Sequence, residues 1–93
     1  MMQDVFSALS DPTRRAVLQL LGKRTMTAGE IAAQFPLVKS TMSSHFNVLK
    51  KAGLILEEKR GTTVYYSLNM TVLEEAMAMF MSVFKAGKKK RKQ

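Results

Sequence analysis

The sequence predicts a mainly α-helical domain with one small β-hairpin, in the order α-α-α-α-β-β-α. Four segments before residue 53 repeat their apolar residues at helical spacing, and another does so after residue 69. Between them, two β-prone runs flank Arg60-Gly61-Thr62, a pattern typical of a hairpin. The chain has 93 residues, 46% of them hydrophobic, so we expect one small folded domain rather than a disordered chain.

The first two helices are separated by a short break at Ser10-Asp11-Pro12. Residues 2–9 place their apolar side chains on one stripe and are expected to form the first helix. Asp11 can accept hydrogen bonds from the free amides of a second helix, and Pro12 suits its first position, where a missing N–H costs nothing. The second helix is predicted over residues 12–21.

A second helix pair follows a basic loop at residues 23–26. Thr27 and Glu30 form a capping box, which opens a third helix that is expected to reach about Phe35. After a short break, a fourth helix is predicted over residues 40–52, with Gly53 just past its end. Its apolar stripe consists of Met42, Phe46 and Leu49.

The hairpin and the last helix complete the predicted fold. The second strand alternates, with Val64, Tyr66 and Leu68 on one face. We interpret Tyr65 and Tyr66 as packing residues of the hairpin rather than as base-stacking residues, because the alternation buries one of them. The last helix is predicted over residues 70–86, and its apolar stripe consists of Leu73, Met77, Phe80 and Phe84.

The third and fourth helices have the spacing of a helix-turn-helix, whose second helix enters the major groove of DNA. One side of the fourth helix would be anchored in the core, and the other carries short hydrogen-bonding side chains followed by Lys50 and Lys51. The tip of the hairpin carries basic residues and could act as a wing against the DNA backbone or in a minor groove. The residues predicted to contact DNA are Lys39, Ser40, Thr41, Ser43, Ser44, His45, Asn47, Lys50, Lys59 and Arg60.

Charge and cysteine content narrow the class of protein. The net charge is +8, but residues 1–84 hold nine basic and seven acidic residues, a net charge of only +2. We therefore divide the chain into a domain at residues 1–86 and a basic tail at 87–93, which is predicted to be disordered and could attract phosphates or an anionic membrane surface. The chain has no cysteine, which excludes disulfides and thiolate metal sites. Without a signal peptide or a long apolar run, a cytoplasmic protein is expected.

His45 is the only histidine of the chain. As a metal ligand it lacks partners of the usual kinds, and as a catalytic base it lacks a nucleophile, since Ser43 and Ser44 on the same helix do not face it. We therefore predict no enzymatic activity, no metal and no cofactor. Two roles stay open for His45, a partly buried structural residue or, as we expect, a contact to DNA.

Several stretches of the sequence together resemble the ArsR/SmtB family of bacterial winged-helix repressors: "ALSDPTRRAVLQLL", "MTAGEIAAQF", "STMSSHFNVLKKAGLI" and "EKRGTTVYYSL". The resemblance covers roughly residues 5–70, and the short chain is most similar to the SdpR-type autorepressors of that family. It implies a homodimer on a palindromic operator, with release of the operator as the regulated step. It also implies that the wing extends over Lys59–Thr62, which adds Thr62 to the DNA-contacting residues.

The first and last helices are too apolar on one stripe to stand alone, and the resemblance places them in the dimer interface. We therefore expect an isologous interface, which would hold the two recognition helices about one DNA turn apart. Its predicted residues are Val5, Phe6, Leu9, Leu73, Met77, Phe80, Met81 and Phe84. The eight methionines are assigned to the core or to this interface, and a pocket for an apolar effector is the alternative.

The sequence departs from the family pattern at its sensing sites and at one turn. Relatives carry Cys-x-Cys in the third helix or His and carboxylate ligands in the last, whereas neither stretch contains Cys or His here, so sensing of metals by these sites is not expected. Val38 stands where relatives have a capping serine, and Pro36 further constrains the turn. The recognition helix is therefore predicted to begin a residue or two late.

Two interpretations remain beside the main one. The absence of arginine from the fourth helix leaves room for a protein-interaction module that uses a winged-helix scaffold without specific DNA binding. By analogy with the autorepressors, a membrane or protein partner could control release. Arg14 and Arg15 are expected on a solvated helix face, with a structural salt bridge or a phosphate contact as the alternatives.

Overall fold

The structure, a computed structural model, describes residues 2–92 and the side chains of residues 2–85. Five helices and a three-stranded antiparallel sheet follow one another along the chain. They are α1 (Met2–Leu9), α2 (Pro12–Leu21), β1 (Met26–Thr27), α3 (Ala28–Ala32), α4 (Lys39–Lys51), β2 (Ile55–Arg60), β3 (Thr63–Leu68) and α5 (Met70–Lys92). The predicted helices and hairpin are confirmed, and β1 is an addition to them.

The corner between α1 and α2 forms as its sequence predicts. Asp11 is extended, and its carboxylate accepts a hydrogen bond from the backbone N–H of Arg14 at 3.1 Å. Pro12 is the first residue of α2. The cap fixes where α2 begins, and therefore where its arginines lie relative to α1.

The basic loop before α3 is partly a strand, which the sequence analysis did not predict. Met26 and Thr27 pair antiparallel with Tyr66 and Tyr65, so that β3 lies at the centre of the sheet in the order β1-β3-β2. Two residues are too few to show the alternation by which strands are recognised. The pairing ties the start of α3 to the hairpin.

The helix α3 is shorter than predicted and ends at Ala32 rather than near Phe35. Its start is as expected, because the Glu30 backbone N–H donates to Thr27 Oγ1 at 3.0 Å and the Thr27 N–H donates to Glu30 Oε1 at 2.8 Å. Amides of Gln34 and Phe35 donate three residues back, to Ile31 and Ala32, which tightens the chain after the helix.

The recognition helix α4 begins at Lys39, so the predicted late start is wrong. Val38 occupies the N-cap position in an extended conformation (φ −70°, ψ 157°), and among the described residues no side chain caps the helix. The side chains of residues 38–41 are exposed. Water can therefore satisfy the first amides, and the helix needs no side-chain cap to start there.

The core anchors one side of α4. Met42, Phe46 and Leu49 are buried as predicted, and the rings of Phe46 and Tyr66 pack with their centroids 4.9 Å apart. The tyrosine pair is accordingly part of the packing of the hairpin, as expected. Gly53 has φ +78°, which lets the chain turn sharply from α4 into the sheet. The opposite side of α4 is left at the surface.

The last helix is longer than predicted. It runs from Met70 to Lys92, whereas an end near Ala86 was expected. Ala76 is buried and Leu73 packs against the core, but the side chains from Met77 to Lys85 are exposed. Residues 87–92, for which disorder was expected, lie within this helix, whereas their side chains and Gln93 lie outside the described residues. Among the residues that the structure describes, no helix combines the length and apolar character that crossing a membrane requires.

Candidate DNA-binding surface

The exposed side of α4 carries a row of short polar side chains. Helical rotation of about 100° per residue spreads most of them over the side away from the buried stripe, with Lys39 at the border of the stripe. All are exposed, whereas the buried stripe holds only apolar residues. The row consists of Lys39, Ser40, Thr41, Ser43, Ser44 and Asn47. Such a slim surface on a firmly anchored helix suits entry into a major groove.

His45 lies at the edge of this row rather than within it. Its side chain is only 15% exposed, because the ring packs toward α2. Its Nδ1 lies 3.2 Å from Nη1 of Arg14 and 3.9 Å from Oδ2 of Asp11. Both neighbours lie more than thirty residues away in the sequence, so the helix that carries His45 gave no sign of them. The contact of His45 with DNA stays a prediction.

Arg14 and Arg15 bind the C-terminal end of α1. Arg14 donates from Nε to the carbonyl of Ala8 at 2.9 Å and from Nη2 to that of Ser7 at 3.2 Å. Arg15 donates from Nη1 to the carbonyl of Leu9 at 2.8 Å. Carbonyl groups at the end of a helix lack partners within the helix and attract cations. These arginines therefore hold α1 to α2. Arg15 is exposed, as expected, whereas Arg14 is partly buried.

Lys50 has a partner inside the domain. Its Nζ donates to Glu57 Oε1 of β2 at 2.6 Å, which raises the pKa of the ammonium group and lowers that of the Glu57 carboxyl group. The pair joins the end of α4 to the sheet. Contact of Lys50 with DNA, which the sequence analysis predicts, would have to compete with this ion pair.

The wing carries exposed basic and polar side chains at its tip. Lys59, Arg60 and Thr62 are exposed there, where Gly61 turns the chain with φ +62°. Arg60 donates to both carboxylate oxygens of Glu58, at 3.1 and 3.2 Å, and its guanidinium group lies 4.5 Å from the centre of the Tyr65 ring. The ion pair lowers the pKa of the Glu58 carboxyl group and holds Arg60 in one orientation.

A second surface lies on α1 and the middle of α5. We call it the apolar patch, and it consists of Phe6, Met77, Phe80, Met81 and Phe84, each 39% to 56% exposed. The rings of Phe6 and Phe80 lie 6.5 Å apart, and those of Phe80 and Phe84 lie 5.2 Å apart. Contiguous exposed apolar residues of this kind mark an interaction site.

Three residues predicted for the dimer interface are less exposed than the residues of the apolar patch. Leu9 and Leu73 are half-buried against the core of their own chain. Val5 is 2% exposed and belongs to that core, so it has no surface to offer a partner. We therefore leave Val5 out of the apolar patch.

Sequence reasoning missed the ion pairs and hydrogen bonds that shape the DNA-binding surface. Charges at alternate strand positions, as in Glu58 and Arg60, were visible in the sequence and could have indicated a pair on one face of β2. The contact between Arg14 and His45 had no such signal, because it depends on how α2 and α4 pack.

The comparisons with known proteins agree with this geometry. A family model described as a helix-turn-helix domain matches residues 9–58. The transcriptional repressor SdpR of Bacillus subtilis (strain 168) is 44% identical over 86 residues, which are 92% of this chain and 96% of that protein. The HTH-type transcriptional regulator Rv2034 of Mycobacterium tuberculosis (strain ATCC 25618 / H37Rv) is 37% identical over 68 residues, 73% of this chain and 64% of that one.

Solved structures give the same result for the fold. The crystal structure of a possible transcriptional regulator for arsenical resistance matches with a TM-score of 0.77 and 37% identity, over 84% of this chain and 81% of that chain. An ArsR-like transcriptional regulator from Rhodococcus sp. RHA1 matches with a TM-score of 0.84 and 26% identity, over 96% and 84% of the two chains.

The fold and its exposed helix define a winged helix-turn-helix regulator of transcription. Within that class, the chain belongs to the ArsR/SmtB family of repressors, which confirms the resemblance drawn from the sequence. Its relatives are regulators and not enzymes, as was expected.

Proposed function

We propose that the protein represses transcription as a homodimer that binds a palindromic operator. The observation that carries the proposal is the two-sided character of α4, which buries an apolar stripe and exposes a row of short polar side chains. The row would read the major groove, and the wing would contact the backbone beside it. The DNA-contacting residues are those predicted from the sequence, with Lys50 and Arg60 each released from an acidic partner on binding.

The apolar patch supports the dimer. Its five side chains are close to half-exposed in the single chain, and three of them form a row of aromatic rings. A second copy would cover this surface by placing the same patch against it, as a two-fold axis requires. The two copies of α4 would then face successive turns of the operator, which explains why we propose a palindrome.

Two further proposals concern the extent of the domain and the signal that releases the operator. Residues 1–86 would contain both the DNA-binding surface and the apolar patch, and residues 87–93 would add sequence-independent attraction to phosphates. Among the described residues, no three histidine or acidic side chains come together as a metal site. We propose release without a metal or cofactor, which predicts that operator affinity is equal with and without a chelator.

The decisive experiment is selection of bound sequences from a random DNA library, followed by affinity measurements over a range of salt concentrations. We expect a two-fold symmetric motif and a steep fall of affinity with salt, because lysine and arginine contacts release counterions. Recovery of the motif upstream of the protein's own gene would support autoregulation. If no symmetric motif emerges and salt has little effect, the alternative of a protein-interaction module would replace the repressor.

A matched pair of variants tests the surface. Ser44→Glu puts a negative charge on the exposed row, and Ser82→Glu puts the same charge on an exposed position of α5. We expect Ser44→Glu to weaken operator binding at least about tenfold, because like charges repel across an interface. Ser82→Glu should leave affinity within about twofold. Equal effects of the two variants would show that α4 is not the recognition helix.

A further inference from the structure

We infer that Arg14 fixes the tautomer of His45 and thereby makes its Nε2 an N–H donor to a phosphate oxygen of DNA. The inference rests on the proposed DNA-binding function and assigns a role to an arginine that has no place in the recognition surface itself. It joins three observations, namely the bond between the two side chains, the anchoring of Arg14 on α1, and the position of the ring at the edge of the exposed row.

The hydrogen-bond chemistry determines the tautomer. A guanidinium group donates only, and Nη1 of Arg14 lies 3.2 Å from Nδ1 of His45. Nδ1 must therefore present its lone pair, and the single ring hydrogen of a neutral imidazole is left on Nε2. Free imidazole carries no such restriction, so the arginine makes the selection.

Arg14 is itself held firmly enough to make this selection. Its Nε and Nη2 donate to the last carbonyls of α1, at 2.9 and 3.2 Å, while its backbone N–H donates to Asp11. Two bonds therefore orient the guanidinium group before it meets the ring, and a third fixes the backbone from which the side chain extends. The end of α1 favours a cation there and resists its loss.

Asp11 is the competing neighbour, and it sharpens the inference. Its Oδ2 lies 3.9 Å from the same Nδ1, and a carboxylate accepts only. With Arg14 in place, Nδ1 accepts; without Arg14, the carboxylate would favour a hydrogen on Nδ1. Loss of the arginine should therefore move the hydrogen from Nε2 to Nδ1.

The free nitrogen faces outward. Among the side chains described, no buried nitrogen or oxygen lacks a hydrogen-bond partner, so Nε2, which has none among the described residues, reaches solvent. His45 lies roughly 100° around α4 from Ser44, at the flank of the exposed row. Phosphates line the edges of a groove and their oxygens only accept, so an N–H at this flank matches a phosphate and not the floor of the groove.

The first test reads the tautomer in the free protein by long-range ¹⁵N correlation NMR, at a pH where the ring is neutral. We expect the Nε2–H form in the wild type and a shift toward Nδ1–H in Arg14→Met. Arg15→Met is the matched control, because Arg15 also donates to a terminal carbonyl of α1 but does not contact the ring. An Nδ1–H wild type, or equal shifts in the two variants, would overturn the inference. If Arg14→Met does not fold, the wild-type spectrum alone decides the tautomer, with Nδ1–H overturning the inference.

The second test compares two substitutions, each of which places an amide nitrogen at the position of one of the two ring nitrogens. The amide nitrogen of glutamine overlies Nε2, whereas that of asparagine overlies Nδ1. We expect His45→Gln to bind operator within about threefold of the wild type, and His45→Asn to bind about tenfold more weakly, since a bond to a charged acceptor is lost. A phosphate contact carries no sequence information, so non-specific DNA should lose affinity by the same factor.

Failure of the phosphate contact can be distinguished from failure of the proposed DNA-binding function. If His45→Asn changes operator affinity but not non-specific affinity, the ring contacts a base and the phosphate assignment is wrong. If the wild type binds no DNA, the proposed function and the phosphate contact fail together. The tautomer experiment needs no DNA, and its result stands in either case.

Discussion

Asp11 links the start of α2 to His45 of α4 through one carboxylate. It caps α2, and the backbone N–H of Arg14 is the main reason why the pKa of this carboxyl group is lowered from its ordinary value of 3.8. The charges of His45 and Arg14 act in the same direction. A single ionised group therefore contributes to helix formation and to the surroundings of His45.

We predict that the ionised Asp11 stabilises the fold above its ordinary pKa. A carboxyl group whose pKa is lower in the folded than in the unfolded chain favours folding above the unfolded value, and this contribution is lost as the pH falls through the folded value. Asp11→Asn keeps a capping oxygen but removes the charge. The wild type should therefore unfold at a higher urea concentration than Asp11→Asn at pH 6, and the two should converge near pH 2.

Urea unfolding at a series of pH values makes this measurement, with Glu74→Gln as the control for loss of one exposed negative charge on α5. A difference that persists unchanged at pH 2 would mean that the amide is a poorer cap, and that the charge is not the cause.

At the scale of the element, an ion pair within the wing limits how strongly the wing binds DNA. Glu58 holds Arg60 by two hydrogen bonds, so Arg60 must leave a carboxylate in order to meet a phosphate. We predict that Glu58→Gln strengthens DNA binding roughly two- to fivefold, because an exposed ion pair of this kind contributes at most about 1 kcal/mol.

Fluorescence anisotropy at low salt would detect that gain. Glu75→Gln removes the same charge from α5, away from the wing, and should change affinity less. Equal gains in both variants would assign the effect to net charge and not to the release of Arg60.

The start of α4, which lacks a side-chain cap, limits the stability of the fold at the same scale. Val38 offers no acceptor to the first amides of the recognition helix. Val38→Ser should raise the free energy of unfolding by about 0.5–1 kcal/mol, because serine at an N-cap is typically worth that much relative to a residue without an acceptor. Val38→Ala removes the methyl groups without adding an acceptor and is the control in chemical denaturation. A serine variant no more stable than the alanine variant would contradict the prediction.

Patterns within one element were predictable, and pairs between elements were not. The stripe of α4 and the capping box of α3 repeat at fixed spacings, so the sequence identifies them. β1 has two residues and no period, and it exists only because β3 lies beside it. The pairs Arg14 with His45 and Lys50 with Glu57 depend on the packing of separate elements, which local spacing does not encode. Exposure of the polar row was predicted correctly, and the partly buried position of His45 was one of the two alternatives that the sequence left open.

For the molecule as a whole, the apolar patch predicts the oligomeric state. Phe80→Glu places a charge at the centre of the patch, between Phe6 and Phe84. We expect this variant to be monomeric in sedimentation and to bind operator at least about tenfold more weakly, because each half-site would have to bind alone.

Ala78→Glu is the matched control, since Ala78 is also exposed on α5 but lies about 160° around the helix from Phe80. It should remain dimeric and keep its affinity. A dimeric Phe80→Glu with unchanged affinity would place the interface elsewhere.

The short strand β1 also affects how the protein can adapt to its operator. It fastens the start of α3 to β3, while the ring of Tyr66 in β3 packs on Phe46 of α4. The helix-turn-helix and the wing are thus packed together as one rigid unit. Such a unit cannot change the angle between the helix-turn-helix and the wing to suit a longer or shorter site. In the proposed dimer, any adjustment of spacing would come from the contact between the two copies, so insertion of one base pair at the centre of the operator would strain the apolar patch first.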